Sequence, residues 1–568
     1  MNFGEVFQSF QLDDLKWFIP AIGGFLIIIG GIASGLMRGQ IGGVFIALFF
    51  GGLLCVSPVL LDALERKTST LNPSEVEVTR SVAKLATLNN EMLSDLTRVV
   101  TALRTTLESA APLVESEDAD AAATSLDAAR TCASSCAAKS TWLRRGTASP
   151  VGPTTTANEP LAIGGTRVRN RLYRAPVLEG AGDGDDAADR YAKHFVENAR
   201  HGVGLVIQGS SCIFPEGRTS PGMTCIDTRD KTLRLAPMVD AVHAEGGSIF
   251  LQLGHGGLYS MEAWHEPYAS RRQSPLLAAS PLPWYLKPVY ARNDVRVLTT
   301  DEVHEMAVRY GDIAGWAREA GYDGIQLGSA NAKLLDQFLS PFYNRRDDEF
   351  GGSFENRARV LRLIREAVAE RAGADFPCTV KAPAEVAPPG FPRSTADEAL
   401  ELCRLVQEWG YDAVTPVEVS VFPDTTLSRG GVPDSLWKNA GMAKRLRTAA
   451  PGRGRRAVLK AGSWWGGRTA PFEPVWNRSL FRQASQILDI PVFAVGGIRT
   501  KDEVDQILGD GEADMVGIGR PFYAEPDLAA KILGGDPGPL RCQNSNRCVP
   551  AQMLGMKGAC YNPDVRKT

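Results

Sequence analysis

Two glycine-rich turns near the carboxyl end, AVGGIRTKDEV at Ala494–Val504 and GIGRPF at Gly517–Phe522, have the composition of an anion cradle. Each follows a short apolar run, so each reads as the turn after a strand. Backbone N–H groups at such a turn, close to a helix amino terminus and a cation, can hold a phosphate. Gly496, Gly497 and Gly519 supply the turns here and Arg520 the cation. Either turn alone is a common feature; the two on adjacent strands make a phosphate site. The chain also has ten cysteines, scattered with no cleavable leader before them. That pattern fits reduced thiols or cluster ligands better than a secreted disulfide framework. A net charge of -3 offers no polycationic surface, which argues against a nucleic-acid partner.

These residues need a scaffold, and from Pro160 onward short apolar runs alternate with amphipathic helical stretches, the pattern of a parallel β/α fold. Eight strands are predicted: Leu172–Val177, Leu205–Gln208, Ile249–Leu253, Gly324–Leu327, Cys378–Ala382, Ala413–Val417, Val492–Gly496 and Met515–Gly519. Helices such as Thr300–Ala320, Asn356–Ala372 and Ser394–Trp409 separate them. Eight such units imply a (β/α)8 TIM barrel, an α/β fold whose functional residues gather at the carboxyl ends of the strands. Gln252 and Lys381 stand at two of those ends.

LLDQFLSPFYNRRDDEFGGSFENR at Leu334–Arg357 is too long and irregular for a chance match. With NRLYRAPV from Asn170, GLVIQGSSCIFPEGR from Gly204, LQLGHGG from Leu251 and GIGRPFYAEPDL from Gly517, it resembles the old yellow enzyme and 2,4-dienoyl-CoA reductase family of FMN-binding barrels. The resemblance implies that Ala175, Pro176, Val177, Gly209, Gln252, Lys381, Gly497, Gly519 and Arg520 hold FMN. A flavin ring needs hydrogen bonds on its pyrimidine edge and a positive charge near N1, which Gln252 and Lys381 would provide. The family usually has Arg at the position of Lys381; lysine keeps the charge without the fork, so the flavin potential would differ. His255 has no assigned role, a histidine after a strand being more often structural.

The pattern breaks where the family binds substrate. It holds a carbonyl with His-x-x-His or His-x-x-Asn and protonates the adjacent carbon from a Tyr. The matching positions here are Gly328, Asn331 and Lys333. Two preorganised donors on an enone oxygen are worth several kcal/mol, so with one arm missing the substrate class is expected to differ. Asn331 and Lys333 are the candidate catalytic residues. Lys333 could act as acid, base or carboxylate anchor if desolvated, or stand solvated at the rim and do none of these. A second break lies in RCQNSNRCVPAQMLGMKGACYNP, which resembles the segment that carries a four-iron four-sulfur cluster in dienoyl-CoA reductases and trimethylamine dehydrogenase. Cys542, Cys548 and Cys560 match three metal ligands, but Ser545 takes the fourth place, and such clusters want four thiolates. The chain reaches Thr568 soon after, so NAD(P)H is expected to reduce the flavin directly, or a partner to supply the electrons.

The amino-terminal third is of another kind. Trp17–Met37 and Ile41–Leu61 are uncharged and each long enough to cross a bilayer. Gly31 and Gly35, and then Gly43, Ala47 and Gly51, would let the two helices pack closely. Lys16, Arg66 and Lys67 at the ends, against Arg38 in the turn, favour cytoplasmic ends. Residues 1–67 are therefore expected to be a transmembrane hairpin, 68–115 an amphipathic stalk helix, 116–158 a linker poor in large apolar residues, 159–540 the barrel and 541–568 a cysteine-containing loop. The expected protein is a membrane-bound FMN oxidoreductase, its barrel on the cytoplasmic side, moving hydride between NAD(P)H and a small organic substrate. The alternatives are an amine or alcohol dehydrogenase feeding a carrier or quinone, and a flavin binder with reduced catalysis. The stalk would also support a homo-oligomer.

Overall fold

The computed structural model describes residues 155–566 apart from 271–273, 389, 423–427 and 536–539. The expected membrane hairpin, stalk helix and nearly all of the linker lie outside the described residues. Among those described, no helix is long and apolar enough to cross a membrane. Residues 155–158, assigned to the linker by composition, already belong to the folded unit: Ala157 is buried and its carbonyl accepts the Arg171 N–H.

An antiparallel hairpin, β1 (Leu161–Ile163) with β2 (Thr166–Val168), precedes the barrel. The barrel strands are β3 (Leu172–Arg174), β4 (Leu205–Cys212), β5 (Ser248–Gly254), β8 (Gly324–Leu327), β9 (Cys378–Val386), β10 (Ala413–Ser420), β11 (Phe493–Val495) and β12 (Met515–Ile518). Between β5 and β8 a small parallel pair, β6 (Leu276–Ala278) with β7 (Val295–Val297), is inserted. The eight barrel strands are all parallel, in the order β10-β9-β8-β5-β4-β3-β12-β11. Contact between Val414 and Val492, with the Val414 N–H donating to the Pro491 carbonyl at 3.1 Å, brings the two edges together. This is the predicted barrel.

The expected strands differ from the observed ones at their carboxyl ends, and each early stop has a local cause. β3 stops at Arg174 because Pro176 has no N–H for the ladder. β11 stops at Val495 because Gly496 and Gly497 follow at φ 120° and 75°, a backbone that glycine adopts without the cost of a side chain. β12 stops at Ile518, before the turn at Gly519. In contrast, β4, β5, β9 and β10 run past the expected ends, carrying side chains further toward the mouth.

Alternate residues of each strand face the barrel axis. At the amino end Tyr173, Leu205, Ile207, Phe250, Ala413, Phe493 and Met515 form one buried cluster with Ile163 and Val168 of the hairpin, which plugs that end. Truncating Phe250 to Ala there should cost about 3–5 kcal/mol. One layer nearer the mouth the interior turns polar, because the next inward positions are Gln252, Gln326, Lys381 and Thr415. Outside the barrel, helices α1 (Thr300–Glu319), α2 (Leu334–Leu339), α3 (Phe354–Ala372), α4 (Ala396–Glu408) and α5 (Lys501–Gly509) include three begun by capping boxes, Thr299 with Glu302, Thr395 with Glu398 and Thr500 with Glu503.

Candidate active site

The carboxyl mouth of the barrel begins where β3 ends. The Ala175 N–H donates to the Ile518 carbonyl at 2.8 Å, and the chain then crosses β4 so closely that a Cβ on Gly209 would lie 1.6 Å from the Val177 carbonyl oxygen. Only glycine at 209 lets Ala175, Pro176 and Val177 lie there. The Gly209 N–H donates to Oε2 of Glu179 at 3.2 Å, while Oε1 takes Arg174 Nη1 at 2.6 Å. This ion pair is almost fully enclosed, and the Arg174 guanidinium also stacks 4.9 Å from the Phe195 ring centre.

On the adjoining strands, Gly496 and Gly497 turn the chain into α5, and a Cβ on Gly497 would meet the Glu473 carbonyl at 2.4 Å. The two glycine turns, that of Gly496 and Gly497 and that of Gly519, thus follow neighbouring strands, as an anion cradle requires. Arg520 donates to Asn546 Oδ1 and, at 3.0 Å, to the Arg429 carbonyl. Its neighbour Arg499 donates to the Cys542 carbonyl at 2.5 Å. Both arginines tie the cysteine loop to the barrel, an attachment that sequence patterning gave no sign of.

Across the interior, Gln252 Nε2 donates to Gln326 Oε1 at 2.8 Å, and Gln326 Nε2 to Thr415 Oγ1 at 3.4 Å. Lys381 lies beside Thr415 in register. It is largely buried, and burial alone lowers its ammonium to about 8. Lys333 is brought to the same region; burial first and then the charge of Lys381 lower it to about 8 as well. His255 is fully enclosed, held down to about 3 by burial and by Lys333, so its ring is neutral. Its Nδ1 accepts the Gly257 N–H at 2.9 Å, which leaves the proton on Nε2, a buried donor with no partner.

The segment carrying Asn331 and Lys333 is held in an unusual shape. Asn331 and Ala332 take φ of 62° and 56°, the left-handed region that side-chain-bearing residues occupy at a cost. Asp336 Oδ2 accepts the Ala332 N–H at 2.6 Å and so fixes that turn. Ser329 Oγ donates to the Lys381 carbonyl at 2.6 Å and ties it to β9. Gly328 donates to the Leu253 carbonyl at 2.8 Å, and a Cβ there would lie 3.0 Å from the same oxygen, so the missing polar arm sits where space is short. Asn331 Oδ1 is buried without a partner. Behind the turn, Asp336 faces Glu385, whose carboxyl is pushed up to about 7 by burial; burial and Glu385 raise Asp336 as well. Only a carboxylate inside the apolar run LLDQFL hinted at that pair. Tyr259 and Tyr343, joined hydroxyl to hydroxyl at 2.8 Å, belong to an apolar cluster that packs on Ala332, again with no sequence signal.

Cys542, Ser545, Cys548 and Cys560 line one small pocket of about 20 Å³ together with Arg520 and Arg547. Asn544 and Asn546, at φ 51° and 55°, bend the loop on either side of Ser545. Burial pushes the Cys548 thiol up to about 11. Among the described residues no three His, Cys, Asp or Glu side chains converge on a single metal ion. The donor set is three thiols and a hydroxyl, which does not meet the four thiolates of a four-iron four-sulfur cluster.

The profile of the NADH:flavin oxidoreductase / NADH oxidase family matches residues 158–420 and 438–537. NADH oxidase of Thermoanaerobacter brockii is 28% identical over 385 residues, 67% of this chain and 51% of that protein. Cinnamate reductase of Clostridium sporogenes is 26% identical over 395 residues, 66% of this chain and 52% of that protein. The chain spans about half the length of these curated relatives. Among solved structures, histamine dehydrogenase from Rhizobium sp. 4-9 superposes with a TM-score of 0.57 at 21% identity, covering 72% of this chain and 52% of that one; at that identity the likeness concerns the fold.

Proposed function

From its membership of the NADH:flavin oxidoreductase / NADH oxidase family, to which this chain belongs, we propose an FMN-dependent oxidoreductase that takes hydride from NAD(P)H and delivers it to a small organic substrate. The observation that carries this reading is the barrel mouth, where a glycine cradle, an amide and a desolvated lysine are held by separate strands. Gly496, Gly497 and Gly519 would hold the phosphate, with Arg520 at its edge. Ala175, Pro176, Val177 and Gly209 would flank the ring, and Gln252 and Lys381 would meet its pyrimidine edge. The bound FMN would accept and donate hydride at N5.

The remaining work falls to the protein. Lys381 keeps a positive charge at the ring edge in surroundings too dry to screen it. Asn331 and Lys333 face substrate from a turn fixed by Asp336. The tyrosine cluster on Ala332 keeps water from that side. The cysteine loop would brace the phosphate end through Arg499 and Arg520; no electron path is assigned to it. Residues 1–67 would anchor the chain in the cell membrane with the barrel on the cytoplasmic side.

The test is to reduce the full chain anaerobically with NADH or NADPH, then offer either an organic acceptor such as cinnamate or a soluble quinone. Return of the flavin absorbance with the organic acceptor is expected. Return with quinone alone would instead mark a dehydrogenase that feeds a carrier, and reduction by an amine or alcohol without nucleotide would do the same.

A further inference from the structure

The net charge of -3 conceals one strongly basic stretch: residues 435–472 hold nine lysines and arginines and no aspartate or glutamate. The stretch contains two longer helices in succession, Ala440–Ala449 and Arg453–Thr469. The first is seated by Met442, Leu446 and Ala449, which share an apolar cluster with Ala551 and Leu554. The second is held by Arg455, which donates to the Trp264 carbonyl at 2.7 Å, by Arg456, which donates to the Ala450 carbonyl at 2.9 Å, and by Gly467, where a Cβ would lie 2.6 Å from Val432. Arg453, Ala457, Lys460, Trp464 and Arg468 recur at steps of four, three, four and four, so they lie along one side of that helix. All five are exposed, Trp464 by 44%, and the Arg468 guanidinium lies over the Trp464 ring at 4.1 Å from its centre. Lys444, Arg445 and Arg447 of the first helix are exposed as well. Lys438 pairs with Asp434 and Arg455 with Glu266; the other seven cations pair with no carboxylate among the described residues.

Seven unpaired cations on two adjoining helices are complementary to an anionic surface. An open tryptophan set between cations, with Leu459 exposed nearby, suits a surface whose charge overlies apolar depth: the indole sinks to the level of the headgroups while lysine and arginine reach the phosphates. We propose that residues 438–468 dock on the anionic face of a lipid bilayer. This docking needs no flavin. It extends the anchoring reading given above, in which Trp17–Met37 and Ile41–Leu61 hold the chain in a membrane and so keep such a surface within reach.

The test places the full chain in vesicles of phosphatidylcholine with or without phosphatidylglycerol and follows amide hydrogen exchange. Peptides within residues 438–468 should exchange several-fold more slowly in the anionic vesicles, and the difference should vanish in about 1 M salt, where charges are screened beyond about 3 Å. Combining Lys444→Glu, Arg447→Glu and Arg453→Glu should abolish the protection, and Trp464→Ala should reduce it. Equal exchange in the two kinds of vesicle, or protection that survives the three reversals, overturns the proposal. Equal protection in lipid-free detergent solution would give the face to a second copy of the chain, and equal protection by duplex DNA without lipid would give it to nucleic acid; either result overturns it too. A chain that leaves the vesicles in high salt loses the membrane hairpin but keeps this docking face. A chain that stays on them with residues 438–468 unprotected keeps the hairpin and loses the face.

Discussion

Arg174 with Glu179, fully enclosed, and Lys333 with Lys381, partly buried, are two sets of charges near strand ends of one barrel, and they are opposite in kind. The first set is matched: the two side chains meet at 2.6 Å, the carboxylate takes a backbone N–H as well, and the guanidinium stacks on Phe195. The second consists of like charges, the one on Lys381 adding to burial in lowering Lys333. A matched pair in a dry site holds the fold together. An unmatched one costs stability until something from outside completes it, which is the usual mark of a binding site.

The largest effect should come from breaking the matched pair. Glu179→Ala would leave Arg174 enclosed with no counter-charge and free the Gly209 N–H, costing about 3–5 kcal/mol in a urea unfolding measurement. Next is the flavin edge: Lys381→Met removes the charge that would stabilise the reduced ring, and flavin reduction by NADH should slow by about a hundredfold in stopped flow. The smallest effect is on the unmatched pair itself. Lys333→Met removes a costly ammonium and should change stability by no more than about 1 kcal/mol, in either direction. It should also flatten the pH dependence. Lys333 titrates near 8 when folded and near 10.4 when unfolded, so the unfolded chain binds the extra proton between those values. Folding stability should therefore rise with pH from about 8 to 10.4 in the parent and rise less in the variant. If Glu179→Ala were mild and Lys333→Met severe, the contrast between the two sets would be reversed.

The contrast was only half legible in the sequence. The barrel itself was readable because each strand is a short apolar run between helices with polar faces, and every expected strand is present. The glycine turns were readable because residue type alone restricts the backbone there. Lys333 and Lys381 stand out as residues, but 48 positions separate them, and their meeting depends on β8 lying beside β9. The pairing of Asp336 with Glu385 is hidden for the same reason. The left-handed turn at Asn331 and Ala332 was not foreseeable, because alanine has no preference for that conformation and takes it only where Asp336 captures its N–H. Arg520 is read as a phosphate cation from its place in GIGRPF; its contacts to Asn546 and Arg429 were not legible, because those residues lie in loops remote in sequence.

The central claim is that this mouth binds a flavin that a nicotinamide can reduce. Its most direct test is an anaerobic absorbance spectrum of the full chain, purified with its flavin, before and after NADH or NADPH. The account predicts flavin bands that bleach on addition of one of the nucleotides. A chain that holds no flavin, or a flavin that neither nucleotide bleaches, would contradict it.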